Sequence, residues 1–285
     1  MKKIILPTDF SNNAYNAIRY AVRLFEDVET TFYLLHSYTP PMYRPEYILQ
    51  SPGQVGLGDI YRESSEIQLE ELKTKIEEEF NNRKHNFIPH AASNILVDEI
   101  VDTVENEKAD LVIMGTQGAT GAKEMVLGTH TVHVIQKATC PVIAVPAHFD
   151  YENPREILFP TDYEVHFKRG QLKQLLDIAK NHSGHVEVIH ISSNYNLTEN
   201  QIKNKQKLNY ILAQTAHLFH IIPNQEVMTS INNFLMEKRI NLLVMVKNKH
   251  TFLERLFIEP VIKKIGFHVT IPFMVIPSQL EKQEG

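Results

Sequence analysis

"KKIILPTDF" at residues 2–10 returns as "REILFPTDY" at residues 155–163, an offset of 153. Each copy is a short apolar run that ends in Pro-Thr-Asp and an aromatic. Such a run, closed by a turn signal, reads as a buried strand. "LLHS" at 34–37 returns as "VIHI" at 188–191. "ADLVIMGTQGATGAKEMVLGTHTVHVIQKATCPVIAV" at 109–145 then aligns without a gap to "INLLVMVKNKHTFLERLFIEPVIKKIGFHVTIPFMVI" at 240–276, an offset of 131. The difference of 22 residues belongs to extra chain in the first half, and the Pro/Gly/Tyr-rich stretch 38–59 accommodates it as a long loop. The pattern is that of a tandem duplication, with one domain at 1–148, a second at 154–278 and a tail at 279–285.

Within the first half the same alternation repeats. Lys3–Leu6 is a strand; Ser11 stands at an N-cap position, and Ala14, Ala17, Ile18, Ala21 and Phe25 recur at helical spacing. "TTFYLLH" at 30–36 is a β-branched and aromatic strand. Residues 60–82 read as a long amphipathic helix carrying Ile67, Leu69, Leu72, Ile76 and Phe80. A strand at 85–91, a helix at 95–107, a strand at 110–114, a helix at 129–138 and a strand at 141–146 complete the half. Strands alternating with helices call for parallel pairing through right-handed crossovers. The expected class is therefore α/β, with two doubly wound, Rossmann-like domains of five mostly parallel strands each.

Composition sets the outer limits. Apolar residues make up 43% and charged residues 22% of 285 positions, as in an ordinary globular protein. No apolar stretch approaches a membrane span, and the N-terminus lacks the pattern of a signal peptide. One cysteine, Cys140, excludes an internal disulfide framework and fits a reducing compartment. The expectation is a cytoplasmic protein without a membrane partner. Residues 1–150 hold 13 Lys+Arg against 21 Asp+Glu, net −8, and residues 151–285 hold 16 against 13, net +3. Neither half is basic enough for nucleic acid.

Chemistry concentrates in "MGTQGATGAKEMVLGTHT", residues 114–131, with four of the chain's 11 glycines. In doubly wound sheets ligands lie beyond the carboxyl ends of the strands. Pro7-Thr8-Asp9, His36-Ser37 and this glycine stretch all reach that edge. Bare backbone lets a ligand come close, and a helix opening at Gly128-Thr129 offers N–H groups to an anion. Phosphate binding is the expectation, against the plainer reading that the glycines serve a turn and a cap. The aligned copy has Val246, Lys249, Glu259 and Pro260 opposite Gly115, Gly118, Gly128 and Thr129. That copy closes its turn without glycine, so turn geometry alone does not demand them. A P-loop, a GxGxxG directly after a strand and a GxSxG elbow are all absent from the sequence.

Gly115-x2-Gly118-x9-Gly128-Thr129, with "ILPTDFS" at the start and "PVIAV" at the end, resembles the universal stress protein family. The resemblance is to its ATP-binding subgroup and its tandem two-domain members, and it covers the chain twice. It implies a stress-response regulatory protein that binds ATP, or another adenine nucleotide, in the first domain. Asp9 is then the acid that meets the ribose hydroxyls, Pro7 and Thr8 shape the adenine pocket, and Ser37 lends its backbone. Gly115, Gly118, Gly128 and Thr129 cradle the phosphates, with Met114, His130 and Thr131 as neighbours. A divalent ion, if one accompanies ATP, is expected to be Mg²⁺ held mostly by the phosphates. The resemblance further implies that the halves pair through their fifth strands about a pseudo-two-fold. Beyond that, a homo-oligomer, a dimer, and protein partners are expected.

The second half departs from the motif. Asp162 survives in "FPTDY", but Glu259 stands where the helix N-terminal field would otherwise attract a phosphate. That half is expected to be structural or interaction-forming. No catalytic residue is assigned: without a general base or an acidic metal set, hydrolysis is expected to be weak or absent. The alternatives are a slow ATPase and a scaffold without nucleotide. Fourteen histidines, including His130 and His133 at i,i+3 and His182 and His185 about a turn, show no zinc-type spacing, so no dedicated metal site is expected. Cys140 reads as packing. The loop 38–59, with Tyr38, Tyr43 and Tyr47, reads as a lid or an interface.

Overall fold

The structure is a computed structural model that describes residues 1–38, 57–116, 128–192, 196–223, 227–247 and 270–278. In the first half the order is β1 (Lys2–Pro7), α1 (Asn12–Leu24), β2 (Thr30–Ser37), α2 (Leu57–Phe80), β3 (His85–Ala92), α3 (Leu96–Glu107), β4 (Leu111–Gly115), α4 (Thr129–Lys137) and β5 (Val142–Val145). The second half adds β6 (Glu156–Pro160), α5 (Lys173–Asn181), β7 (His185–Ser192), α6 (Glu199–Leu212), β8 (Ala216–Pro223), α7 (Val227–Glu237), β9 (Leu242–Val246) and β10 (Phe273–Ile276).

All ten strands form one sheet in the order β3-β2-β1-β4-β5-β10-β9-β6-β7-β8. Every pairing is parallel except β5 with β10. Each half thus has the same strand order, read outward from the middle. At the junction Ile143 lies opposite Met274, with Ala144 opposite Phe273 and Val142 opposite Val275. Ile143 and Met274 are the residues that the 131-residue offset equates, so each central strand meets its own copy. All six side-chain positions are buried. Pro146 and Pro277 end the two runs.

Two apolar layers sandwich the sheet. Ile4, Leu6, Phe32, Leu34, Phe159 and Met274 point to one face, where α1, α2, α5 and α6 pack through residues such as Ala17, Leu69, Leu175 and Leu208. Ile5, Leu35, Val112, Leu158 and Phe273 point to the other, covered by α3, α4 and α7 through Ile100, Val134 and Ile231. Alternate residues of one strand thus serve opposite layers, as the pleat requires. The β1–α1–β2–α2–β3 crossovers therefore run on one face, and β3–α3–β4–α4–β5 on the other. Their directions diverge between β1 and β4, the switch point of the first half.

Most element readings match. Ser11 caps α1, its Oγ accepting from Ala14 N at 3.2 Å. The long helix differs: α2 begins at Leu57, inside the stretch read as loop, and ends at Phe80. Ile67, read as part of its apolar face, is 53% exposed, whereas Leu69 and Ile76 are fully buried. The rest of the loop, 39–56, lies outside the described residues, as do Tyr43 and Tyr47 and any lid role they carry. The tail 279–285 lies outside them as well. No described helix is long and apolar enough to cross a membrane.

Candidate functional site at the carboxyl edge of the first half

Pro7 ends β1, and the chain turns at once. Thr8 N donates to Leu35 O at 2.8 Å, anchoring the turn to β2. Thr8 Oγ1 accepts from Phe10 N at 3.0 Å, while Phe10 takes φ 61. Asp9 Oδ1 accepts from Ser11 N at 3.1 Å and Ser11 Oγ at 2.5 Å. Asp9 is exposed, and its Oδ2 has no hydrogen bond among the described residues. The acid is therefore held from one oxygen and offered to solvent from the other.

His36, which the sequence reading placed on this edge without giving it a role, locks this turn. Its Nδ1 lies 2.8 Å from Thr8 O, so this nitrogen carries the proton and donates to the carbonyl. Its ring lies 4.5 Å from that of Phe10. The second half repeats the arrangement: His190 Nδ1 lies 2.9 Å from Thr161 O, Tyr163 N donates to Thr161 Oγ1 at 3.0 Å, and Tyr163 takes φ 59. The pairing of "LLHS" with "VIHI" carried this signal. Ser37, half-buried at the end of β2, donates its hydroxyl to Asn94 O. Its side chain ties β2 to the start of α3.

Gly115 ends β4 and is buried. A Cβ at Gly115 would lie 2.2 Å from Asn13 Nδ2 and 2.7 Å from Asn13 Cγ. The bare face of this glycine thus admits a side chain of α1. Val246 occupies the matching position, as the registers Gly115↔Val145 and Ile276↔Val246 show. There α5 starts only at Lys173, and His166, the counterpart of Asn13, is exposed. Room for the valine follows from the late start of that helix, about two turns after the counterpart of the α1 start.

Across the gap from β4, α4 opens with Gly128 at the N-cap, φ −61, and no side chain caps it. Gly128 N donates to Thr116 O at 2.5 Å, which holds the helix start against the strand end. Thr129 and His130 are exposed. Thr131 is buried and donates its hydroxyl to Gly115 O at 3.0 Å, so it staples α4 to β4. Met114 is buried in the layer beneath α3 and α4. Of the expected site residues, Pro7, Thr8, Asp9, Ser37, Gly115, Gly128, Thr129 and His130 gather along this edge. Met114 and Thr131 form its floor. Gly118 lies outside the described residues, as do Lys249, Glu259 and Pro260 of the second half.

Elsewhere, burial pushes the Cys140 thiol up to about 12, beyond the range in which it would supply a thiolate nucleophile.

The model of the universal stress protein family matches residues 1–146, about half of the chain. A universal stress protein of Methanocaldococcus jannaschii is 30% identical over 145 residues, which is 50% of this chain and 81% of that protein. A second from the same organism is 32% identical over 156 residues, 50% of this chain and 94% of its own length. The fold of a universal stress protein from Archaeoglobus fulgidus superposes with a TM-score of 0.61 at 17% identity, covering 96% of each chain. Sequence likeness thus concentrates in the half that holds the described edge, while the fold extends over both. The chain belongs to the universal stress protein family.

Proposed function

We propose that the domain at 1–148 binds an adenine nucleotide, ATP being the form that the family resemblance implies, and that occupancy regulates contact with protein partners. The observation that carries this reading is the convergence at the β1/β4 switch point. There an exposed acid, with one carboxylate oxygen unbonded among the described residues, faces the same edge as a glycine-capped helix N-terminus. A ribose offers a pair of hydroxyls to Asp9 Oδ2. The α4 N-terminus presents N–H groups and a positive dipole end to phosphate oxygens, with the exposed Thr129 hydroxyl beside them. Gly128 leaves no side chain in the way. Thr8, His36 and Phe10 fix the turn that aims Asp9, so the chain's own bonds set the acceptor before the ligand arrives.

The described residues fit such a ligand without supplying hydrolysis. Asp9 is exposed and engaged by Ser11, a poor placement for a general base acting on water. In this reading the protein is a cytoplasmic nucleotide-dependent regulator, and the domain at 154–278 is a structural or interaction-forming partner. The nucleotide is identified by denaturing freshly purified protein and weighing what is released, then titrating ATP into stripped protein. Gly128→Glu, which copies the residue aligned in the second half, is expected to weaken ATP at least 100-fold with an unchanged circular dichroism spectrum. Unchanged affinity would place the phosphates elsewhere. No released nucleotide and no ATP binding would leave the scaffold reading in its place.

A further inference from the structure

The amino end of the sheet in the second half holds a cluster that the nucleotide reading does not use. Glu156 opens β6, and His185, its register partner, opens β7. Glu187 lies two residues further on the same face of β7. His185 Nδ1 is 3.5 Å from Glu156 Oε2 and 3.4 Å from Glu187 Oε1. One ligand atom from each of the three lies within 4.8 Å of the others. Glu187 Oε2 is hydrogen-bonded by His220 Nε2 from β8. That bond fixes the carboxylate and leaves Oε1 to the cluster.

Among the described residues no lysine or arginine pairs with this cluster. Glu187 is only 3% exposed, and its partners among the described residues are the two histidines. A buried carboxylate needs a compensating charge or a full set of donors. The first half shows how a balanced version looks: Lys3 Nζ and Tyr33 Oη both bond Glu107 Oε2, at 3.0 and 2.5 Å. By the sequence offsets, Glu156 stands for Lys3 and Glu187 for Tyr33, so an acid replaces a base and a second acid replaces a phenol. Lys238, at the position of Glu107, is exposed and forms no ion pair among the described residues.

The spacings also suit a shared ion. At 3.4 and 3.5 Å the His185 nitrogen lies beyond the usual hydrogen-bond range. Ligand atoms about 2.0–2.2 Å from a tetrahedral ion stand about 3.3–3.6 Å apart, which is the separation of His185 Nδ1 from each carboxylate oxygen. The side chains of His185 and Glu156 are 26% and 39% exposed, so an ion has a route from solvent.

We propose that Glu156, His185 and Glu187 form a binding site for a divalent ion of the zinc class. One imidazole and two carboxylates select zinc or cobalt over magnesium or calcium, and a water completes the coordination. Zinc-type spacing was missing from the sequence because the ligands come from different strands, brought together by register.

The test uses the full chain, stripped of metal and nucleotide, titrated with Zn²⁺ by equilibrium dialysis and with Co²⁺ by visible absorption. One equivalent is expected to bind, with a d–d band of a four- or five-coordinate Co²⁺ ion. Glu156→Gln and His185→Gln are each expected to weaken binding at least tenfold, and the double variant His130→Gln, His133→Gln to leave it unchanged. Glu156→Gln alters a half-exposed strand end, so it keeps the test decisive should the histidine variant fold poorly. Absence of stoichiometric binding, or wild-type affinity in Glu156→Gln, overturns the site.

Discussion

Asn13 and Gly115 act as one unit, and their fit decides what each residue can become. With a Cβ at position 115 only 2.2 Å from Asn13 Nδ2, the amide must swing outward before any side chain fits. Asn13 is half-buried, so it has some freedom to do so. Gly115→Ala is therefore expected to cost about 1–2 kcal/mol in urea unfolding, the low end of overpacking penalties. Asn13→Ala in the same chain should recover most of that loss. Strictly additive effects in the double-mutant cycle would show that the two side chains do not share this space. The sequence singled out Gly115 as bare backbone that makes room for a ligand. It could not say whose atoms fill the space, because α1 lies a hundred residues away. The same holds for Thr131: the sequence named it only as a pocket neighbour, and could not show that its hydroxyl turns inward to Gly115 O.

Strands and helices were legible wherever one face of an element is buried. β4 and β5 are wholly apolar, and β1 and β2 are apolar through their middles, because both of their faces are covered. The start of α2 was not legible. Its approach, "SPGQVGLGD", carries glycine and proline typical of loops, yet the helix begins at Leu57. This helix covers the outer strands, so only a narrow stripe, including Leu69 and Ile76, is fully buried. A stripe that thin leaves the surface pattern dominated by Glu and Lys. The pairing of β5 with β10 was implied by family resemblance alone, since two apolar runs do not state their own direction. Phe273 packs there opposite Ala144, a large residue against a small one. Phe273→Ala leaves that gap unfilled and is expected to cost about 3–5 kcal/mol, read by thermal unfolding. A loss under 1 kcal/mol would mean that the central ladder carries little of the fold.

Across the whole molecule, polar bonds tie the halves outside the sheet. Lys2 Nζ reaches Gln174 Oε1 at 2.6 Å and Asp177 Oδ2 at 2.9 Å, and Gln174 Nε2 donates to Asp110 Oδ1 at 3.3 Å. His182 Nε2 lies 2.8 Å from Leu24 O, and Lys247 donates to Gln136 O near the end of α4. Burial raises the Asp177 carboxyl, but hydrogen bonds from Lys173 and Lys2 outweigh it and hold the group below its ordinary value. A depressed folded-state value contributes stability that is complete above the unfolded pKa, about 3.9, and is lost as pH falls through the folded one. Urea unfolding between pH 6 and pH 2 should therefore show an acid limb that Asp177→Asn flattens. An identical limb in the variant would assign the acid sensitivity to other carboxylates.

The central strands meet at Ile143 and Met274, each facing its own counterpart. In an assembly of two identical chains about such an axis, every substitution would appear on both sides at once. Here ten residues of linker, 146–155, join the sides into one chain, and a change on one side leaves the other as it was. That independence permits Gly115 and Val246, Lys3 and Glu156, or Tyr33 and Glu187 to stand at matching places in the same molecule. A gene of this form can keep one ligand on the left of the axis and acquire a different chemistry on the right.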